Sequence, residues 1–114
     1  MSDAGDYCLV YVTTSDAAEA RKLAHSALDR RLAACANILP EMESLYWWNG
    51  AIETAYECVL LFKTRRSLAH SLMEKIKVEH SYECPAILEV PIEGGNPDFL
   101  QWIGDETVAR VDHQ

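Results

Sequence analysis

The densest set of reactive side chains in this 114-residue sequence is His80-Ser81-Tyr82-Glu83-Cys84-Pro85, which puts an imidazole, a phenol, a carboxylate and a thiol at the end of a helical pattern. If a turn gathers them, His80 and Glu83 are candidate ligands for a transition metal, with Cys84 or Cys35 as a soft donor. The structural alternative has His80 capping the preceding helix through its carbonyls or dipole, Tyr82 packing and Glu83 solvated. Neither Cys-x-x-Cys nor His-Glu-x-x-His occurs, so a closed zinc site inside one chain is not expected.

A second candidate group lies on one β-rich run. Glu57 and Lys63 share its pleat parity, and a lysine on a covered sheet face serves as a base or an anion ligand, or else as half of an intersubunit ion pair. Tyr46, Trp47 and Trp48 either line a ligand pocket by stacking or pack beside a hairpin. A ligand cleft of Trp47, Glu57, Lys63 and Tyr82 follows if the functional alternatives hold. Gly94-Gly95 does not open a strand-to-helix turn, so no phosphate loop and no organic cofactor are expected. No Ser-His-Asp arrangement or other catalytic motif stands out, and a non-enzymatic role is expected. His25 and His70 fall on helix surfaces and His113 in the tail, all facing solvent.

These groups are carried by elements with clear local signals. Cys8–Thr13 is a continuous β-branched and aromatic run, suited to a central strand. Asp16 and Glu19 have capping-box spacing, and Ala20, Leu23, Ala24, Ala27, Leu28 and Leu32 form the stripe of the helix they begin. Pro40 predicts a bulge or bend between two strand halves, and Asn49-Gly50 a type I′ hairpin. Beyond it, Ile52, Tyr56, Cys58, Leu60 and Phe62 make a core face, while Glu53, Ala55, Glu57, Val59, Leu61 and Lys63 mark a second covered face. Ser67 is read as the cap of a second helix with the stripe Leu68, Leu72 and Ile76. Ala86–Val90 is a strand. Asn96-Pro97 opens a short helix with Phe99, Leu100 and Ile103 inward. Thr107–Val111 is an edge strand or a frayed end.

The order β-α-β-β-α-β with an appended helix predicts an α+β, ferredoxin-like (split βαβ) antiparallel sheet with helices on one face. A single domain spanning 1–114 follows from the length, with 1–6 and 107–114 flexible and a radius of gyration of roughly 13 Å. One domain of this size has too few helices to cover both faces, so another copy of the chain is the expected cover. The balance of 18 acidic against 10 basic residues, a net charge of −8 with histidines neutral, argues against nucleic acid. No export signal or membrane span is apparent, and a cytoplasmic protein with its four cysteines reduced is expected.

Several segments together resemble the CutA divalent-cation tolerance family: Leu32-Ala33-Ala34-Cys35-Ala36-Asn37-Ile38, Ser44 to Ile52, Phe62-Lys63-Thr64, His80 to Ile87 and Phe99 to Ile103. The resemblance spans Cys8 to Ile103. It implies a ferredoxin-like subunit in a tight homotrimer formed by intersubunit β-pairing, similar in architecture to PII-type signalling proteins. It also implies association with copper and other divalent cations, and animal members are linked to membrane anchoring of acetylcholinesterase. By position, Cys35 matches the family's frequent thiol, His80, Tyr82 and Glu83 its His-Pro-Tyr-Glu motif, and Lys63 its Lys-Thr pair. Ser81 departs from the motif's proline. Val12 and Lys75 stand where some members carry further thiols implicated in copper binding.

The expected function is that of a cytosolic homotrimer binding a divalent metal ion, Cu(II) foremost, through Cys35, His80, Glu83 and Cys84. The alternative is a PII-like sensor that holds a small anion in an intersubunit cleft and signals to an unidentified protein partner, a reading that rests on fold analogy.

Overall fold

The structure, a computed structural model, describes residues 4–108. A 3-10 turn at Ala4–Asp6 leads into β1 (Tyr7–Thr14), followed by α1 (Ala17–Asp29), β2 (Cys35–Trp48), β3 (Ala51–Arg65), α2 (Arg66–Glu79), β4 (Ile87–Pro91) and α3 (Pro97–Asp105). The strands form one antiparallel sheet in the order β2-β3-β1-β4, the expected α+β ferredoxin-like arrangement.

Local chemistry starts and stops these elements. The Asp16 side chain accepts from the Glu19 N–H at 2.8 Å, and the Glu19 carboxylate reaches back to the Ser15 N–H at 3.1 Å, closing the first turn of α1. Asn96 caps α3 by accepting from the Asp98 N–H, with Pro97 at the first helical position. Ser67 is not the cap of α2. That helix begins one residue earlier, and its N-cap Arg65 makes no capping bond, because a guanidinium has no acceptor to offer the helix N–H groups; it donates instead to Gly104 O and Thr107 Oγ1.

Asn49 and Gly50, with φ of 51° and 79°, form the tight turn between β2 and β3. β2 runs as one strand through a bulge between Leu39 and Met42, where Glu41 takes φ 64°. The extra residue reverses which side of the sheet each later β2 side chain occupies.

Helices α1 and α2 bury the face carrying Cys8, Val10, Val12, Cys58, Leu60 and Phe62. They do not reach the far half of the β2–β3 hairpin. Ile52 and Tyr56, expected in the core, are therefore 62% and 71% exposed. The protruding arm stretches the molecule to 48 Å along its long axis and raises the radius of gyration to 14.8 Å. α3 builds a smaller core from Tyr7, Leu100 and Ile103, while Phe99 stays half-exposed against Trp102.

The opposite face, with Leu9, Tyr11, Val59 and Leu61 at its centre and exposed Leu39, Leu88 and Val90 around them, is not covered by α1 or α2. This is the open face of the sheet. Among the termini expected to be flexible, Ala4–Asp6 form the 3-10 turn, Thr107 is buried and the Val108 N–H donates to Arg31 O at 3.1 Å. Residues 1–3 and 109–114 lie outside the described residues, and with them His113 and most of the expected Thr107–Val111 strand.

Candidate functional site

The segment after α2 folds back over the end of β1, and His80 fastens it there. Its Nδ1 accepts from the Tyr82 N–H at 3.0 Å, so the neutral ring carries its proton on Nε2, which donates to the Thr13 carbonyl at 2.7 Å. The imidazole is fully covered and its ring lies 4.8 Å from that of Tyr82. Glu19 ties the same turn to α1 by accepting from the Ser81 N–H at 2.8 Å. Burial alone would raise the Glu19 carboxyl, but the hydrogen bonds from Ser81 and Ser15 outweigh it and hold the group at about 2.

Tyr82 then projects onto the open face and donates from its hydroxyl to Glu57 Oε2 on β3 at 2.9 Å. Burial first, and then the hydrogen bond and charge of Glu57, push this phenol well above the ordinary tyrosine range. Between the turn and the hairpin arm opens a pocket of about 650 Å³. It is lined by Glu57, Tyr82, Glu83 and Cys84 from the expected set, together with Tyr11, Met42, Tyr46 and Trp48. Tyr11 donates to Met42 Sδ at 3.6 Å on its floor.

The expected metal set does not converge. Cys35 pairs with Lys63 across β2 and β3 at the opposite end of the face from Glu57, which is six residues along β3, or roughly 20 Å at strand rise. Its thiol lies 4.0 Å from Asn37 Oδ1. His80 has both ring nitrogens engaged and offers no lone pair to a metal. Its role is to hold the turn, through Thr13 rather than through the carbonyls of its own helix. Glu83 and Cys84 remain together at the pocket, where Cys84 is exposed. Among the described residues, no three His, Cys, Asp or Glu side chains group as metal ligands would.

The expected ligand cleft is also divided. Lys63 Nζ donates to Asn37 Oδ1 at 2.5 Å and sits 5.9 Å from the Phe99 ring, remote from Glu57. The two therefore form no ion pair within the chain. Trp47 pairs with Ile52 on the other side of the arm and is 72% exposed, whereas Tyr46 and Trp48 face the pocket. Strand alternation combined with the expected bulge at Pro40 carried the signal for this separation. Tyr11, Met42 and Glu19 gave no local signal as site residues.

A second cavity, of about 850 Å³, lies near the start of α2 beside Arg65, Arg66, Ser67 and Glu89. Its arginines are committed, Arg66 to Glu89 at 3.5 Å and Arg65 to Gly104 O at 2.6 Å. All four cysteines are free. Cys8 and Cys58 are buried, and burial, reinforced by the charge of Glu89, pushes the Cys8 thiol up to about 12.

Comparison with known proteins places this geometry in context. The sequence model of the CutA1 divalent ion tolerance protein matches residues 8–106. The chain is 42% identical over 99 residues to Protein CutA 1, chloroplastic, from Oryza sativa, covering 87% of this chain and 56% of that protein. It is equally identical to the divalent-cation tolerance protein CutA of Archaeoglobus fulgidus, covering 87% of this chain and 95% of that one. The chain thus spans about half the length of the curated plant relatives it matches. In three dimensions it is similar to the crystal structure of CutA1 from Oryza sativa, with TM-score 0.87 and 40% identity over 91% of this chain and 95% of that one. It is also similar to the periplasmic divalent cation tolerance protein CutA from Archaeoglobus fulgidus, with TM-score 0.84 and 38% identity over 88% and 97%.

Proposed function

Because the chain belongs to the CutA1 divalent ion tolerance family, we propose that it serves divalent-cation tolerance as a cytosolic homotrimer that binds the cation, copper(II) foremost, at the pocket beneath residues 80–86. The observation that carries this reading is the lining of that pocket: the carboxylates of Glu57 and Glu83, the thiol of Cys84 and the thioether of Met42, with no lysine, arginine or histidine among the described residues that line it. Such a lining repels anions and offers oxygen and soft sulfur donors to a metal. Glu83 and Cys84 are the contact residues proposed, and Glu57 adds charge. Cys35 and His80 are not part of the set. One chain supplies a partial set, which water or a second copy completes.

Copper(II) tops the Irving–Williams order, so simple binding proves little. The test is calorimetry against a competing chelator, with Glu83→Gln, Cys84→Ala and, as control, Cys35→Ala. Loss of affinity in the first two alone supports the assignment, and unchanged affinity in both defeats it.

The homotrimer rests on the open face, whose exposed Leu39, Leu88 and Val90 surround a half-covered apolar centre that a lone soluble subunit rarely presents. Light scattering should return three times the 12.8 kDa chain mass, and a stable lone chain overturns the proposal. Among the described residues, no helix is long and apolar enough to cross a membrane. Fractionation against compartment markers tests the cytosolic location. The anionic-ligand sensor finds no support at this pocket, since Lys63, the cation it requires, lies at the other end of the sheet.

A further inference from the structure

We propose that the pocket beneath residues 80–86 binds a small organic ammonium ion, its charge set against the Glu57 carboxylate and its apolar body against the rings of Tyr46 and Trp48. The inference rests on reading the pocket as a cation site, and it adds a ligand class that a bare metal ion does not exhaust. Three observations carry it.

The first is size. A volume of about 650 Å³ falls in the middle of the range of roughly 300–1,000 Å³ that holds organic ligands. A metal ion with its donors would leave most of that space, and all of the aromatic wall, unused.

The second is the wall itself. Tyr11, Tyr46, Trp48 and Tyr82 contribute four aromatic rings to one pocket, and the negative face of an aromatic ring attracts an ammonium group. Carboxylates beside aromatic rings in a cavity with no basic side chain among its described lining residues favour a cation with an apolar body over an anion or a neutral ligand of the same shape.

The third is the state of Glu57. Its Oε2 accepts from the Tyr82 hydroxyl at 2.9 Å, while Oε1 accepts no hydrogen bond from the described residues. Tyr82 is itself held by its tilted ring contact with His80, whose nitrogens are both tied to backbone. The carboxylate is thus held by one oxygen and presents the other, an arrangement that orients an acceptor before its ligand arrives.

The test is a charge series on one ring: benzylammonium, benzyl alcohol and benzoate, titrated calorimetrically into the assembled protein in the presence of a strong metal chelator. Benzylammonium should bind at least about tenfold more tightly than benzyl alcohol, and benzoate more weakly still. Glu57→Gln should weaken benzylammonium by about tenfold and leave benzyl alcohol unchanged, and Trp48→Leu should weaken it by roughly fivefold. Equal affinity for the charged and neutral probes, preference for benzoate, or no binding at millimolar concentration because a neighbouring subunit fills the pocket would each overturn the proposal. The series on the unaltered protein stands even if a variant fails to fold. Copper titration of the same preparation without chelator keeps the two readings apart, because a protein that takes copper but no benzylammonium loses this inference alone.

Discussion

The Tyr82 hydroxyl donates to Glu57 Oε2 across 2.9 Å, joining the turn after α2 to the middle of β3. A hydrogen bond to a charged acceptor in a half-covered site contributes about 1–2 kcal/mol, so Tyr82→Phe should lower the melting temperature by roughly 4–10 °C. Glu57→Gln should bring the ionisation of Tyr82 down towards the ordinary tyrosine range, since the carboxylate's bond and charge both oppose formation of a phenolate. Ultraviolet titration of the two proteins measures this, and identical alkaline midpoints would remove Glu57 as a cause.

Glu19 makes stability depend on acid. Its folded pKa of about 2 lies below the ordinary 4.5, so the folded state binds the proton less readily than the unfolded chain. The resulting stabilisation is complete above about pH 5 and is lost as pH falls from there through 2. Allowing for solvent screening, it amounts to about 1–2 kcal/mol at neutral pH. Denaturant melts of wild type and Glu19→Gln should therefore differ at pH 7 and converge towards pH 2. A gap that is constant with pH would show that the carboxylate's charge is not what holds the turn.

Asp16 with Glu19, Asn49-Gly50 and Asn96-Pro97 act within four residues of themselves, which is why each was legible as a cap or turn and why the order of strands and helices followed. Burial along the β2–β3 arm was not legible. Alternation puts Ile52 and Tyr56 on the side of Phe62, but it carries no information on where α1 and α2 stop covering that side. Trp47 was misplaced because one extra residue at the Leu39–Met42 bulge reverses every face beyond it. The site suffered most from distance in the chain. His80 meets Thr13 across 67 positions and Ser81 meets Glu19 across 62, contacts that no local pattern encodes.

With both nitrogens of His80 bonded to backbone, the histidine positions the turn. His80→Ala leaves the Thr13 carbonyl unpaired and opens a void, and it should cost about 2–3 kcal/mol. Nitrogen NMR should show the Nε2-protonated neutral ring, and added zinc should leave those resonances in place. A zinc-induced shift at the Nδ1 or Nε2 signal of His80 would return it to the metal set.

Phe62 and Leu88 separate folding from assembly. Phe62 is fully buried beneath α1 and α2, so Phe62→Ala should destabilise the subunit by about 3–5 kcal/mol wherever its copies are. Leu88 lies on β4 in the open face and is 57% exposed. In an isolated subunit, an exposed substitution such as Leu88→Asp costs within about 0.5 kcal/mol. If copies meet on this face, the same change buries a charge between apolar surfaces and opposes association. Light scattering of Leu88→Asp should then fall from three times 12.8 kDa towards the mass of one chain while the circular dichroism of the fold is kept. An unchanged mass would place the subunit contact elsewhere and leave the apolar residues of the open face without a partner.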